Sequence, residues 1–347
     1  MKTLVFGSKP YDRRFLEAAN ASRGHALTFF EPRVDEATAT LAVGFDAVCV
    51  FVNDTVSRRV LEILAECGVK VVALRCAGYN NVDLAAAEDL GIAVVRVPAY
   101  SPNAVSEFTV GLVLALDRKI HRAWARVREN NFALEGLIGR NLESRTIGVI
   151  GTGRIGALVA RAFKLGFGCE VLASDPSPDP ELVAEGIRYV EPEVVLRSSD
   201  IVSLHCPLTP GTRHLVDAKA IAEAREGILI VNTSRGALID TRAVIDGLKS
   251  GKIGGVALDV YEQEADLFFE DLSSEIIQDD DFQRLLTFPN VLVTGHQAFL
   301  TEEALRAIAE TTLASLTDFE AGRPLVNRVE AEQVRPPRIE TASTKEG

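Results

Sequence analysis

The stretch TIGVIGTGRIGALVARAFKLGFGCEVLASD, residues 146–175, decides the fold. A short run of strand character leads into Gly151, Gly153 and Gly156, then into a helical pattern and a second apolar run. The first glycine permits a tight turn, the second lets backbone approach a pyrophosphate, and the third lets helix and strand pack closely. Arg154 and Ile155 complete the turn, whose N–H groups face the phosphate charge at the helix N-terminus. Glycine is common at turns, so the bare motif says little. Its flanks and Asp175, about 20 residues further on, make it specific. After the strand CEVLAS, the Asp175 carboxylate can accept hydrogen bonds from an adenosine ribose and repel a 2′-phosphate. The segment SDPSPDPE holds no arginine or lysine to welcome that phosphate, so NAD is expected over NADP.

Outward from this unit the same alternation recurs. RTIGVIG, CEVLASD, DIVSLHCP, ILIVNTS, GGVALDVY and VLVTGH are short apolar runs followed by turn or helix signals, the signature of parallel strands buried on both faces. The first hundred residues repeat it with TLVFG, AVCVFV, KVVALRC and AVVRV between helical patterns at 12–22, 57–67 and 84–90. A break at PAYSP, with Ser101 as cap and Pro102 in the first turn, opens a predicted long helix through VREN. After His296, TEEALRAIAETTLASLTDFEAG reads as one amphipathic helix returning to the first domain. The polar, proline-containing segment 331–347 reads as a flexible tail.

At 347 residues the chain is long for one core, and 47% hydrophobic with 25% charged residues is ordinary for a globular protein. A formal charge of -12 disfavours nonspecific attraction to nucleic acid or anionic lipid. Five scattered cysteines without a CxxC pair indicate neither a disulfide framework nor a zinc site, and no metal is expected. The N-terminal apolar run is too short for a signal peptide, and the uncharged stretch from Phe108 to Leu116 cannot span a bilayer. The expected compartment is the cytoplasm.

GILIVNTSRGALID, residues 227–240, poses a further question, because a buried strand ends beside an arginine. Arginine at a strand end is usually a solvated charge. In an open parallel sheet, however, the ligand crevice lies at the carboxyl ends of the strands, where a guanidinium fork can hold a carboxylate. Arg235, Glu264 in VALDVYEQE and His296 after VLVTG all follow strands of the second series. A histidine exchanges protons near neutral pH, a carboxylate beside it favours the protonated form, and the arginine anchors an anion. Singly, His296 could be structural and Glu264 a solvated surface charge; jointly they are the parts for reducing a carbonyl.

These motifs, together with RCAGYNNVDLAAAEDLGIAVVRVPAYSP, DIVSLHCPLTP, LDVYEQEADLFFED and TGHQAFLTEEAL, resemble the NAD-dependent D-2-hydroxyacid dehydrogenases, most closely the fermentative D-lactate dehydrogenases. The resemblance covers nearly the whole chain. It implies an α/β protein of two Rossmann-like domains with parallel sheets. A Rossmann NAD-binding domain, 102–296, is inserted into a discontinuous, flavodoxin-like catalytic domain of 1–101 and 297–330.

The resemblance further implies His296 as acid/base, Glu264 as its partner and Arg235 as binder of the substrate carboxylate and carbonyl. Backbone N–H groups at Ala77 and Gly78 would hold the carboxylate from the other side, with Tyr100 and Phe299 shaping a small pocket. Cys206, Pro207, Thr233 and Asp259 would line the nicotinamide side, and the earlier His205 would be structural. The implied reaction is NADH-dependent reduction of pyruvate to D-lactate, in a homodimer or homotetramer. Another 2-keto acid, such as phenylpyruvate or hydroxypyruvate, stays open as substrate, as does an NAD-sensing corepressor. Phe108 stands where the resemblance leads one to expect histidine, and Ser174 and Ser177 where aromatic residues often flank the aspartate.

Overall fold

A computed structural model describes residues 1–331 of the protein. The chain divides into two compact units, one of Met1–Ser101 with the chain from Thr301 onward, the other Pro102–Leu300. The second junction lies a few residues beyond the 296/297 boundary that the sequence suggests. His296 and Phe299 therefore belong to one unit.

In the first unit, β1 (Lys2–Val5), β2 (Ala26–Phe29), β3 (Ala47–Val50), β4 (Val71–Leu74) and β5 (Ala93–Val95) form a parallel sheet of order β2-β1-β3-β4-β5. This is the flavodoxin-like order. AVCV and VVAL are buried at every residue, as parallel strands covered on both faces must be. The helix Glu302–Glu320 seats Ala309, Leu313 and Leu316 against Val5, Cys49 and Val71. Packing thus returns the end of the chain to its beginning. The sequence reading omits β2, a four-residue edge strand whose residues alternate between exposed and half-buried, too short a run to stand out.

The second unit contains β6 (Thr146–Ile150), β7 (Glu170–Ser174), β8 (Arg188–Tyr189), β9 (Ile201–Leu204), β10 (Ile228–Asn232), β11 (Ile253–Leu258) and β12 (Val291–Val293). Their parallel order is β12-β11-β10-β9-β6-β7-β8, the doubly wound Rossmann arrangement with one extra strand. The order reverses between β6 and β9, where the glycine turn emerges. Two apolar layers cover the sheet. One packs Leu112 and Leu116 of the helix Pro102–Asp117 with Ile147, Val149 and Phe163; the other joins Leu204, Ile230 and Leu258 to Val244 and Phe282.

The long helix expected after PAYSP is instead two, Pro102–Asp117 and Ile120–Arg128, broken where Lys119 adopts φ 54°. Neither glycine nor proline marks that break. Of the expected tail, Ala331 is buried and the remainder lies outside the described residues. No helix among the described residues is long and apolar enough to cross a membrane.

Candidate active site

The glycine turn is fixed by contacts that only glycine permits. Gly151 has φ 90°, and a Cβ there would lie 2.4 Å from the Cys206 nitrogen; a Cβ on Gly156 would lie 1.9 Å from the Gly151 oxygen. The loop after β9 and the helix after β6 therefore close on the turn. Gly153 differs, since its Cβ would meet nothing within 4 Å. It N-caps the helix Arg154–Arg161 without a side-chain cap, so the first helical N–H groups face open space, as a pyrophosphate requires. Arg154 is exposed and Ile155 half-buried.

Asp175 follows β7 with its Oδ2 accepting from Thr152 N at 2.7 Å and its Oδ1 from Ser177 N at 2.9 Å. A carboxylate offers about four acceptor sites, which leaves capacity for ribose hydroxyls. These residues fit a dinucleotide.

The loops after β9, β10, β11 and β12 are tied to one another. Ser234 Oγ donates to Cys206 O at 2.8 Å, and Asn232 Nδ2 donates to Arg235 O at 2.8 Å. Gly236 sits so close to the next loop that a Cβ would lie 2.0 Å from the Tyr261 carbonyl carbon. Tyr261 N in turn donates to Glu264 Oε2 at 2.9 Å, while Glu264 Oε1 stands 2.8 Å from His296 Nδ1. Glu264 and His296 are thus brought together at the ends of the adjacent strands β11 and β12. Their side chains remain 22% and 18% exposed, open enough to meet a ligand. Arg235 follows β10, half-buried, its Nη1 donating to Ser234 O at 2.7 Å.

His296 has φ 50°, uncommon for a residue with a side chain. Asp259 holds it there. His296 N donates to Asp259 O at 2.7 Å, and the Asp259 carboxylate, 1% exposed, accepts from Thr294 Oγ1, Gln297 N and Ala298 N at 2.6, 2.9 and 2.9 Å. The Asp259 expected beside the nicotinamide thus spends its visible hydrogen bonds on the histidine loop. Thr233 is buried, its Oγ1 2.9 Å from Thr109 Oγ1, whereas Pro207 is exposed and Phe299 buried. Burial pushes the Cys206 thiol up to about 11, which keeps it a thiol. Burial lowers His205 to about 4, so this ring, 2.8 Å from Ser203 Oγ, is neutral at ordinary pH.

Ala77, Gly78 and Tyr100 belong to the first unit. Ala77 and Gly78 lie on the loop after β4, which is stiffened at its root by Arg75. That side chain is 1% exposed, donates to Gly7 O at 2.8 Å and pairs with Asp12 at 3.3 Å. Asn232 and Thr294 are the residues sequence reasoning missed. An asparagine ending an apolar strand, with no other reason to be there, was the available signal for the first; Thr294 carried none.

Residues 110–298 match the family model described as D-isomer specific 2-hydroxyacid dehydrogenase, NAD binding domain. The chain is 52% identical over 329 residues to D-lactate dehydrogenase of Escherichia coli, covering 95% of this chain and 100% of that one. It is 55% identical over 319 residues to 2-hydroxyacid dehydrogenase homolog 1 of Schizosaccharomyces pombe, covering 92% and 96%. Among solved structures, the apo D-lactate dehydrogenase of Escherichia coli superposes with TM-score 0.87 at 49% identity over 95% of this chain and 100% of that one. The chain belongs to the D-isomer specific 2-hydroxyacid dehydrogenase family, and is an NAD-dependent oxidoreductase built on its two-domain fold.

Gly236→Ala should push the Arg235 loop away from the Tyr261–Glu264 loop. Since a displacement of about 1 Å can cost about 100-fold in rate, kcat/KM is expected to fall by that order while NADH still binds. Steady-state kinetics and a cofactor titration on the folded variant check this; undiminished turnover would show the tight contact to be dispensable.

Proposed function

We propose that the protein reduces pyruvate to D-lactate with NADH, reversibly. The observation that carries this reading is the Glu264–His296 pair at the ends of neighbouring strands, with Arg235 on the strand beside them. Bound NADH supplies the hydride that the ketone carbon receives. Glu264 engages Nδ1, so Nε2 is the nitrogen left to pass a proton to the ketone oxygen, and the carboxylate stabilises the charged ring before transfer. Arg235 grips the carboxylate and carbonyl together, which fixes the ketone for attack. Ala77 and Gly78 hold the carboxylate from the other side, and Phe299 with Tyr100 limits the side chain. Thr233, Cys206, Pro207 and Asp259 line the nicotinamide side.

Similarity supports the substrate: the Escherichia coli relative is a D-lactate dehydrogenase, and a further structure, with TM-score 0.89 at 44% identity over 94% of this chain and 98% of that one, is from work identifying the pyruvate reductase of Chlamydomonas reinhardtii. The remaining readings are another 2-keto acid and a corepressor that binds NAD without turnover.

Loss of NADH absorbance with a panel of 2-keto acids tests the proposal. The highest kcat/KM is expected with pyruvate; a preference for phenylpyruvate or hydroxypyruvate would reassign the substrate, and binding without turnover would favour the sensor. Arg235→Lys, which replaces a planar fork with a point charge, is expected to lower kcat/KM about 30- to 100-fold. Near-unchanged kinetics would remove Arg235 from the site.

Asp175→Ser removes the like charge facing a 2′-phosphate, so the NADPH/NADH preference ratio should rise. An unmoved ratio would mean that another group reads the ribose.

We place the enzyme in the cytoplasm, in keeping with its five free cysteines. We also expect a homo-oligomer: Ile120, Trp124, Val127, Phe132, Leu134 and Ile138, close together in the sequence, are all exposed large apolar side chains, of the kind a second copy would cover. Trp124 is the sole tryptophan. Light scattering should give at least a dimer, with Trp124 emission shifting to the red on dilution; a monomeric mass throughout would refute this.

A further inference from the structure

We infer that Arg96 is a positioning residue that aims the Gly78 N–H at the substrate carboxylate by holding the carbonyl at the other end of the same peptide. The inference rests on the proposed role of Ala77 and Gly78 in carboxylate binding. Arg96 Nη1 donates to Ala77 O at 2.7 Å. The chain has no cis peptide bond among the described residues, so the Ala77 carbonyl and the Gly78 N–H point in opposite directions. A donor fixed on one face of this peptide therefore sets where the N–H on the other face is aimed.

The rest of the loop follows the same pattern. Val97 N donates to Cys76 O at 3.1 Å, and the Cys76 thiol reaches Gly78 O at 3.2 Å. Three successive carbonyls are thus each engaged by a donor from within the domain, whereas among the described residues no acceptor takes the N–H of Ala77 or Gly78. Adjacent N–H groups left facing outward form a concavity for an anion. The charge on Arg96 adds to this, since a cationic donor at the carbonyl polarises the peptide and strengthens its N–H as a donor.

Arg96 is itself held on two sides. Its guanidinium carbon lies 4.9 Å from the centroid of the Tyr79 ring, and its backbone N–H donates to Asn327 O at 3.1 Å. A planar cation can stack on the ring and donate to the carbonyl at once; an ammonium makes one such contact well. Arg96 belongs to the first unit, whereas Glu264 and His296 belong to the second. Its effect should accordingly fall on anion binding and spare the chemical step.

Arg96→Gln and Arg96→Lys, assayed as full-length protein with saturating NADH, test this. Arg96→Gln should raise the pyruvate KM and the inhibition constant of oxamate, a carboxylate analogue that is not reduced, each by roughly ten-fold. The turnover number, the NADH KM and the melting temperature should stay near those of the parent, and Arg96→Lys should recover part of the loss. Unchanged pyruvate and oxamate constants would overturn the inference. So would a lost cooperative melt, or equal losses in turnover and NADH binding, which would assign Arg96 to folding. Gly78→Pro, which removes the N–H itself, separates this from the underlying reading. If Gly78→Pro raises both constants and Arg96→Gln does not, Arg96 alone is wrong; if neither moves them, the loop does not bind the carboxylate.

Discussion

The candidate site depends on a buried carboxylate whose hydrogen bonds, among the described residues, come from a hydroxyl and two backbone N–H groups. Asp259 is 1% exposed, and an isolated ionised group at such a depth would be costly. Thr294 Oγ1, Gln297 N and Ala298 N all donate to it, so the charge is offset by three hydrogen bonds drawn from one short loop. That loop carries His296 at φ 50°, a conformation local sterics disfavour and the surrounding bonds impose. The carboxylate thus joins the main-chain bond from Thr294 N to Leu258 O, at 2.8 Å, in holding the turn that brings the imidazole 2.8 Å from Glu264.

The same logic extends along the sheet. Parallel strands end at one edge, but loops after them diverge unless something binds them to each other. Here each neighbour is tied to the next: Ser234 to Cys206, Gly236 pressed on Tyr261, Tyr261 to Glu264, Glu264 to His296. Asn232 performs the corresponding task inside the β10 loop, accepting from Ser234 N and donating to Arg235 O. Arg235 therefore stands on a rigid base, and among the described residues its guanidinium donates only to the preceding carbonyl, Ser234 O. A fork so placed has donors to spare for a ligand.

Much of this was legible in the sequence because the determining signals are local. The glycine turn, the alternation of buried strands and helices, and Asp175 after β7 are each written in a short run of consecutive residues, even where their contacts are distant. The Glu264–His296 pair was legible only through the joint placement of both residues after strands, and most securely through family resemblance. What escaped depends on long-range contact. β2 is a half-exposed edge strand of only four residues, and the break at Lys119 lies in a sequence that contains no helix breaker. The partners of Asp259 lie on a different strand's loop, so nothing around residue 259 announces them.

Two histidines in the same domain sit in different environments, set by the strands they follow. His205 follows β9 with its ring against Ser203 and its Cβ near the glycine turn; burial without a carboxylate partner lowers it to about 4. Over the range in which a histidine normally exchanges protons it stays neutral, so it can pack and accept or donate one hydrogen bond but cannot cycle a proton. His296 keeps 18% of its side chain exposed and has a carboxylate on one nitrogen. A ring with one nitrogen anchored to a carboxylate has a defined orientation. Strand order accounts for the difference in burial: β9 sits next to β6 in the middle of the sheet, where the glycine turn packs closely, whereas β12 is an edge strand.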